Sequence, residues 1–164
     1  MIALLRYFIV YSTSLIQEHY MSHSNSGNYR AKHPADIKVD DIIMKQVALK
    51  MIEGHMACKT AHTIASTLAV SPSQVGVAID LHNGRIKACQ LGLFGFGKVK
   101  AISQGGSEIK TELKSDIQST LVQGCLSCAE AWRIADAHGV PRLEVGRACE
   151  ILGIKINQCQ LGAF

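Results

Sequence analysis

Cysteine and histidine side chains recur at matching positions in the two halves of this chain. The two sets are His55, Cys58 and Cys89, and Cys125, Cys128 and Cys159. Each set opens with two soft ligands separated by two residues, which is a spacing that zinc sites use, and iron–sulfur clusters are also held by cysteine thiolates. The sequence therefore allows a zinc or iron–sulfur site in each half, although no fourth protein ligand is evident.

Two other roles are open for the same cysteines. Buried cysteine packs as a small apolar side chain, and packing is the role that the sequence favours. A redox disulfide is the second. The chain lacks a convincing export signal and is not a short cysteine-dense secreted domain, so we expect a reducing cytoplasm, free thiols and no obligatory cofactor. Cys149 occupies an apolar helical position and is expected in the core.

No catalytic motif accompanies these side chains. The sequence contains no glycine-rich phosphate loop with its lysine, no nucleophile elbow and no HExxH, so we do not expect an enzyme. Hydrophobic residues make up 48% of the chain and the formal net charge is +4, which suits a folded protein that could bind an acidic partner. The apolar opening, residues 1–16, is interrupted by Arg6 and is shorter than the roughly 20 residues that span a bilayer. We expect no membrane segment and a native start at Met21.

The cysteine positions reflect an internal duplication. Shifting the sequence by 70 positions aligns the two copies without a gap. The longest identical run pairs Cys89-Gln-Leu-Gly92 with Cys159-Gln-Leu-Gly162, and each run is followed by a phenylalanine, Phe94 or Phe164. Self-similarity at a fixed period indicates repeated structural units. The predicted organisation is an N-terminal arm over residues 1–38, disordered or loosely attached, copy 1 over 39–97, a linker over 98–108 and copy 2 over 109–164.

Three helices and a short extended segment are predicted in each copy. In copy 1, helical spacing predicts a first helix that ends near Gly54. One face of this helix carries Met44, Val47, Ala48 and Met51. A second helix carries Ala61, Ile64, Ala65 and Leu68. Ser71-Pro-Ser-Gln74 is a capping-box start for a third helix that buries Val75, Ala78 and Ile79. After a turn at Asn83-Gly84, residues 85–91 alternate as a strand does.

The second and third helices carry the spacing of a known DNA-binding motif. Copy 1 has Ala65, Ala69 and Val75 at steps of four and six residues, and copy 2 has Ala135, Gly139 and Val145. With this pattern each copy resembles the bacterial helix-turn-helix motif and, with the added strand, a reduced winged-helix domain. The small alanine lets two helices cross closely, and the turn position favours glycine because its φ is positive. Ala69 at that position is expected to cost about 1 kcal/mol.

The resemblance implies which side chains would face a DNA groove. In copy 1 these are Ser71, Ser73, Gly76, Val77 and Asp80, and in copy 2 Arg142, Leu143, Gly146, Arg147 and Glu150. Arginine contacts phosphate or guanine, whereas phosphate repels an aspartate. Copy 2 is therefore expected to contact DNA more strongly than copy 1.

Gly76 and Gly146 lie inside the third helix of their copies, where glycine costs roughly 0.5–1 kcal/mol relative to alanine. Something is therefore expected to approach the helix backbone closely at both positions. A DNA backbone is one candidate. The favoured candidate is packing by the Gln-Leu-Gly-x-Phe segment or by the other copy.

The sequence as a whole predicts a mainly α fold of two tandem three-helix, winged-helix-like modules, each ending in a short β segment. The leading functional hypothesis is a cytoplasmic regulator that binds double-stranded DNA, with copy 2 as the main contact. The alternative is a protein-interaction or assembly module, with a protein partner or a homodimer, whose helix-turn-helix units no longer bind DNA. A thiol or metal sensor could be coupled to either role.

Overall fold

The fold is mainly helical, and the two copies repeat the same order of elements. The computed structural model describes residues 27–97 and 108–164. These residues form six α-helices and four short strands, namely α1 (Asp41–Lys50), β1 (His55–Ala57), α2 (Cys58–Thr67), α3 (Pro72–Leu81), β2 (Arg85–Lys87), α4 (Thr111–Ser119), β3 (Cys125–Ser127), α5 (Cys128–Ala137), α6 (Arg142–Ile151) and β4 (Lys155–Asn157). The expected mainly α class is confirmed. The predicted start at Met21 and residues 98–107 of the predicted linker lie outside the described residues.

The first helix of copy 1 is shorter than its sequence pattern predicts. It begins after Asp40, whose carboxylate accepts a hydrogen bond from the backbone N–H of Ile42 at 2.7 Å. It ends at Lys50 because the chain turns at Glu53 and Gly54, where φ is +48° and +72° and a tight hairpin of type I′ geometry forms. The buried face is centred on Ile43 and Val47, and Ala48, which the spacing placed on the same face as Val47, is exposed.

The second and third helices of copy 1 form an angled pair. The axes of α2 and α3 differ in direction by 119° across a short turn. At the turn Ala69 has a φ of +52°, and Gly139 has +61° at the equivalent position of copy 2. The predicted capping box is confirmed, with the Ser71 hydroxyl accepting from the N–H of Gln74. No helix in the described ranges is by itself long and apolar enough to cross a membrane, although α2 and α3 pass that test together as a bent pair.

One short parallel strand pair joins the two ends of each helix-turn-helix unit. β1 pairs with β2 and β3 pairs with β4, and both pairs have the same register. Sequence reasoning missed β1 and β3, which are three residues long and run directly into α2 and α5. It also predicted too long a strand after the third helix. β2 ends at Lys87 because Ala88 has a φ of +49°, a conformation that breaks an extended strand.

After the second strand of each copy, the chain crosses to the other copy. We call residues 88–97 and 158–164 the crossed tails. Cys89 and Leu91 of the first tail belong to the hydrophobic core of copy 2, and Leu161 of the second tail belongs to the core of copy 1. Leu91 and Leu161 are 1% and 2% exposed, so each copy completes its core with a side chain from its partner copy. The two copies therefore form one interlocked body.

Candidate functional site

The third helices, which the resemblance assigns to DNA contact, are covered by the crossed tails at their centres. A Cβ atom at Gly76 would overlap the backbone carbonyl of Leu161, and one at Gly146 would overlap the carbonyl of Leu91. The predicted packing by the Gln-Leu-Gly-x-Phe segment or by the other copy is confirmed, and the structure combines the two alternatives, because the contacting residue belongs to that segment of the other copy. Both residues are buried, so this part of α3 and α6 faces protein in the structure.

Asp80, another predicted groove position, is buried in an ion-pair cluster. Its carboxylate is 2.7 Å from the Lys32 ammonium and 2.9 Å from Nε2 of His33. Lys32 also donates to the carbonyl oxygen of Gly162 in the second crossed tail, at 3.2 Å. Residues 29–32 form one turn of 3₁₀ helix, so this part of the predicted loose arm is held against α3. The carboxylate has a structural role that its position on the motif did not indicate.

The two predicted DNA-contacting arginines of copy 2 make contacts within the protein. The Arg142 guanidinium lies 3.3 Å from the ring centroid of Trp132, and its Nη1 donates to Oε1 of Gln90 at 2.8 Å. Arg147 donates from Nη1 to Oε2 of Glu144 at 3.0 Å. The side chains of Arg142 and Arg147 are only 29% and 19% exposed. Their positive charge is thus partly engaged before any ligand arrives.

The remaining predicted groove positions are more open. Ser71 and Ser73 are exposed at the start of α3, where their hydroxyl oxygens lie 2.9 Å apart. Val77 and Leu143 are half-buried. The exposed positions of the predicted interface are therefore the first turn of α3 and Glu150 near the end of α6.

Equivalent residues of the two copies meet each other at the centre of the molecule. His62 packs on Trp132 with ring centroids 4.1 Å apart, and Phe94 meets Phe164 edge to face at 6.0 Å. Because equivalent positions contact each other and the tail contacts are reciprocal, the copies are related as in a twofold dimer. Burial and, to a smaller extent, the nearby Arg142 charge together lower the pKa of His62 to about 4.

The six predicted metal ligands lie at the starts of strands, at the starts of helices and in the crossed tails. His55 and Cys125 begin β1 and β3 and are half-buried, while Cys58 and Cys128 are the first residues of α2 and α5. As the side chains stand, no group of three or more His, Cys, Asp or Glu in residues 27–97 and 108–164 is arranged to hold a metal ion. The within-copy sets that the sequence suggested are therefore not assembled as metal sites in this structure.

A different set of four cysteines lies around the contact between the copies. Cys58, Cys89, Cys128 and Cys159 lie close enough that a thiolate at one raises the pKa of another, within and across copies. Burial is the largest influence on three of them: it raises the pKa of Cys58 to about 11 and raises the pKa of Cys89 and Cys128 above the usual thiol value. Cys149 is also buried, which raises its pKa to about 12, and its predicted core position is confirmed.

Each crossed tail places a glutamine beside one of these sulfur atoms. The Gln90 side-chain amide donates to Sγ of Cys58 at 4.0 Å, and the Gln160 amide donates to Sγ of Cys128 at 3.6 Å. The backbone N–H groups of both glutamines also face these sulfurs. Each of the identical Cys-Gln-Leu-Gly runs therefore makes two kinds of contact. Its leucine packs in the core of the other copy, and its glutamine donates to a cysteine sulfur.

Comparisons with known proteins leave these features unassigned. No family model, curated protein or solved structure matches the chain. Sequence reasoning found the glycines, the cysteines and the repeated Cys-Gln-Leu-Gly run, but not the exchange that connects them. The available signal was that the strongest identity lies in the tails, outside the helix-turn-helix itself.

Proposed function

We propose that the protein is an assembly module and not an enzyme, in which two helix-turn-helix units bind each other instead of reading DNA sequence. The observation that supports this proposal is the position of the crossed tails. At Gly76 and Gly146 the middle of each third helix is occupied by the backbone of the other copy. A DNA backbone cannot occupy the same space, because even a Cβ atom does not fit there.

The chemistry of the neighbouring positions supports the same proposal. Asp80 is paired with Lys32 and contacts His33, and Arg142 is stacked on Trp132, so these side chains make their contacts within the body of the protein. Exposed apolar side chains lie elsewhere, on the outer side of α1 at Ile42 and Leu49, which are 61% and 65% exposed. These two side chains are seven residues apart and share one helix face, which suits contact with a protein partner or a second copy.

Duplex DNA binding tests the proposal directly. The full chain is titrated into a labelled mixed-sequence duplex at low salt and followed by fluorescence anisotropy. We expect no binding at micromolar protein, with sedimentation of the same sample reporting its assembly state. Binding whose affinity falls steeply with salt, and which Arg147→Ala weakens, would overturn the proposal because such behaviour reports phosphate contacts.

A DNA-binding regulator is the second candidate, and one observation favours it. The 119° angle between α2 and α3 lies within the range of DNA-binding helix-turn-helix pairs, and the first turn of α3 remains exposed at Ser71 and Ser73. DNA contact would then come from the helix start and not from its covered centre. The double variant Ser71→Ala/Ser73→Ala distinguishes the candidates: it weakens duplex binding if this turn contacts DNA. We place either activity in a reducing cytoplasm, where free thiols persist.

A further inference from the structure

We infer that a cavity between the two copies is a binding site for a small organic carboxylate with a flat apolar body. The cavity has a volume of about 580 Å³, which lies in the range of small-molecule sites. Copy 1 contributes Lys59, His62 and the crossed-tail residue Gln90 to its wall, and copy 2 contributes Trp132 and Arg142. The site therefore needs both copies, whether or not the helix-turn-helix units also bind DNA.

The charge of the cavity wall favours an anion. Lys59 and Arg142 line it, and none of the lining residues in the described part of the chain is acidic. Lys59 is exposed, and its flexible side chain can turn the ammonium towards a ligand. Burial and the nearby Arg142 charge hold the pKa of His62 at about 4, so this ring is uncharged at neutral pH. A carboxylate in the cavity would therefore meet two positive groups in the wall and no negative one.

Arg142 is held in place by contacts with both copies. Its guanidinium lies 3.3 Å from the ring centroid of Trp132, and its Nη1 donates to Oε1 of Gln90 at 2.8 Å. The N–H donors of a guanidinium lie in its plane, so stacking on the indole leaves the other donors available to a planar carboxylate. Asp136 is the nearest competitor, but its Oδ1 is 4.0 Å from Nη2 and its side chain is 71% exposed, so this ion pair is weak. A ligand carboxylate can replace it.

Trp132 and the apolar part of the wall favour an organic ligand. The buried indole N–H of Trp132 has no acceptor among the described residues, and a buried donor without a partner is costly. A carboxylate oxygen beside the ring would accept from it. Ala65, Val70 and Pro72 add apolar surface to the same wall. A flat apolar body would cover this surface, whereas an inorganic anion would leave it in contact with water.

The internal repeat predicts one such site per chain. At the positions 70 residues further along, Lys59 is replaced by Ala129, and the wall residue Ser66 is replaced by Asp136. An anion at the equivalent place on copy 2 would lose a cation and meet a carboxylate. The duplication has therefore kept the backbone on both sides but the anion-binding chemistry on one.

Calorimetric titration of the full chain with three probes tests the site. Benzoate has the carboxylate and the flat apolar body, benzamide is its uncharged counterpart, and inorganic phosphate has charge without an apolar body. We expect one benzoate per chain with a Kd of about 1 mM or lower, and binding of the other two probes weaker by about tenfold or more. The absence of saturable benzoate binding, or two benzoates per chain, would overturn the site. Equal affinity for benzamide would contradict anion binding, and equal affinity for phosphate would contradict an organic ligand.

Charge-removing variants locate the bound benzoate. Arg142→Met is expected to weaken binding about tenfold and Lys59→Met about threefold, because a buried charge pair is screened less by solvent than an exposed one. Arg133→Met is the matched control: this exposed arginine lies on the same helix as Trp132 but outside the cavity wall, so its loss leaves the affinity unchanged. Asp136→Asn is expected to tighten binding because it frees Arg142. Equal losses in the Lys59 and Arg133 variants would report general charge attraction and contradict the site.

Tryptophan fluorescence of the unmodified protein keeps the test decisive if Arg142→Met does not fold. Trp132 is the single tryptophan of the chain, so its emission reports the cavity directly. We expect benzoate to change this emission saturably, with the Kd that calorimetry gives, and free tryptophan corrects for collisional quenching. Benzoate binding that calorimetry detects without a change in Trp132 emission would place the ligand elsewhere and overturn the site.

Discussion

Copy 1 and copy 2 share one backbone but stabilise it with different side chains. α3 of copy 1 begins with a side-chain capping box at Ser71, whereas α6 follows Pro141 without a side-chain cap. The preceding helices show the opposite pattern: Ser127 caps α5, whereas Ala57 offers no side-chain cap to α2. In each pair of second and third helices, one helix therefore has a side-chain cap and the other does not. The two copies show that the tail exchange and the turn geometry are shared, while local stabilisation can be supplied at either helix.

The copies differ most in the surroundings of an acidic side chain on their third helices. Asp80 is 5% exposed and bound by the segment at residues 29–33, whereas its counterpart Glu150 is exposed. A sequence position that could face DNA has thus become part of the core contacts in one copy and remains on the surface in the other. The comparison can be tested residue by residue.

The largest expected effect comes from filling the two helix glycines. Gly76→Ala and Gly146→Ala should each destabilise the protein by about 3 kcal/mol, because the added Cβ meets a backbone carbonyl that cannot move aside easily. Helix propensity alone predicts the opposite sign, a gain of about 0.5–1 kcal/mol. Urea unfolding of the full chain measures the difference. Ser73→Ala, an exposed change in the same helix, is the control, and a stabilised glycine variant would contradict the crossed tails.

A smaller effect is expected from replacing the buried carboxylate of Asp80, whose surroundings differ from those of Glu150 in copy 2. Asp80→Asn should cost about 2 kcal/mol, because Lys32 and His33 lose their buried carboxylate. Glu150→Gln should cost less, about 1 kcal/mol or below, because an interaction of an exposed carboxylate is worth little. Thermal unfolding of both variants makes the comparison. Equal effects would show that the bound segment does not distinguish copy 1 from copy 2.

The aromatic contact between the copies should make stability depend on pH. The pKa of His62 is about 4 in the folded protein, below its usual 6.5, so the unfolded chain binds the proton more tightly. The contribution is complete above about pH 6.5 and is lost as the pH falls towards 4. We expect a loss of about 1 kcal/mol, reduced by solvent screening because the ring is half-buried. His62→Gln should remove this slope, and His82→Gln, at an exposed histidine, should leave it.

The smallest expected effect concerns the turn between the motif helices. Ala69→Gly should stabilise the protein by about 0.5–1 kcal/mol, because it relieves a side chain held at a φ of +52°. Gly139→Ala should destabilise it by about 1 kcal/mol at the equivalent turn, where φ is +61°. Chemical denaturation of the pair tests whether both turns carry the same strain. Changes of the same sign in the free energy of unfolding of both variants would show that the two turns do not carry the same strain.

The sequence by itself determined the features that repeat at short range. Residue type and spacing determine the capping box at Ser71, the positive φ at Ala69 and the burial of Val75 and Ala78. These features depend on residues that are close together in the sequence. The close approach at Gly76 and Gly146 could also be predicted, since glycine inside a helix is costly unless another chain segment needs the space.

Only the tertiary structure decided which segments approach those glycines and which cysteines lie together. The three-residue strands β1 and β3 give no periodic signal. The crossing of the tails depends on the contacts of Gly76 with Leu161 and of Gly146 with Leu91, which join residues far apart in sequence. Sequence spacing therefore grouped Cys125 with Cys128, whereas the exchange of tails brings Cys58, Cys89, Cys128 and Cys159 to one interface. The physical reason is that each copy cannot close its core alone: Leu91 and Leu161 bury their side chains only by crossing, and the cysteines two residues before them move with them.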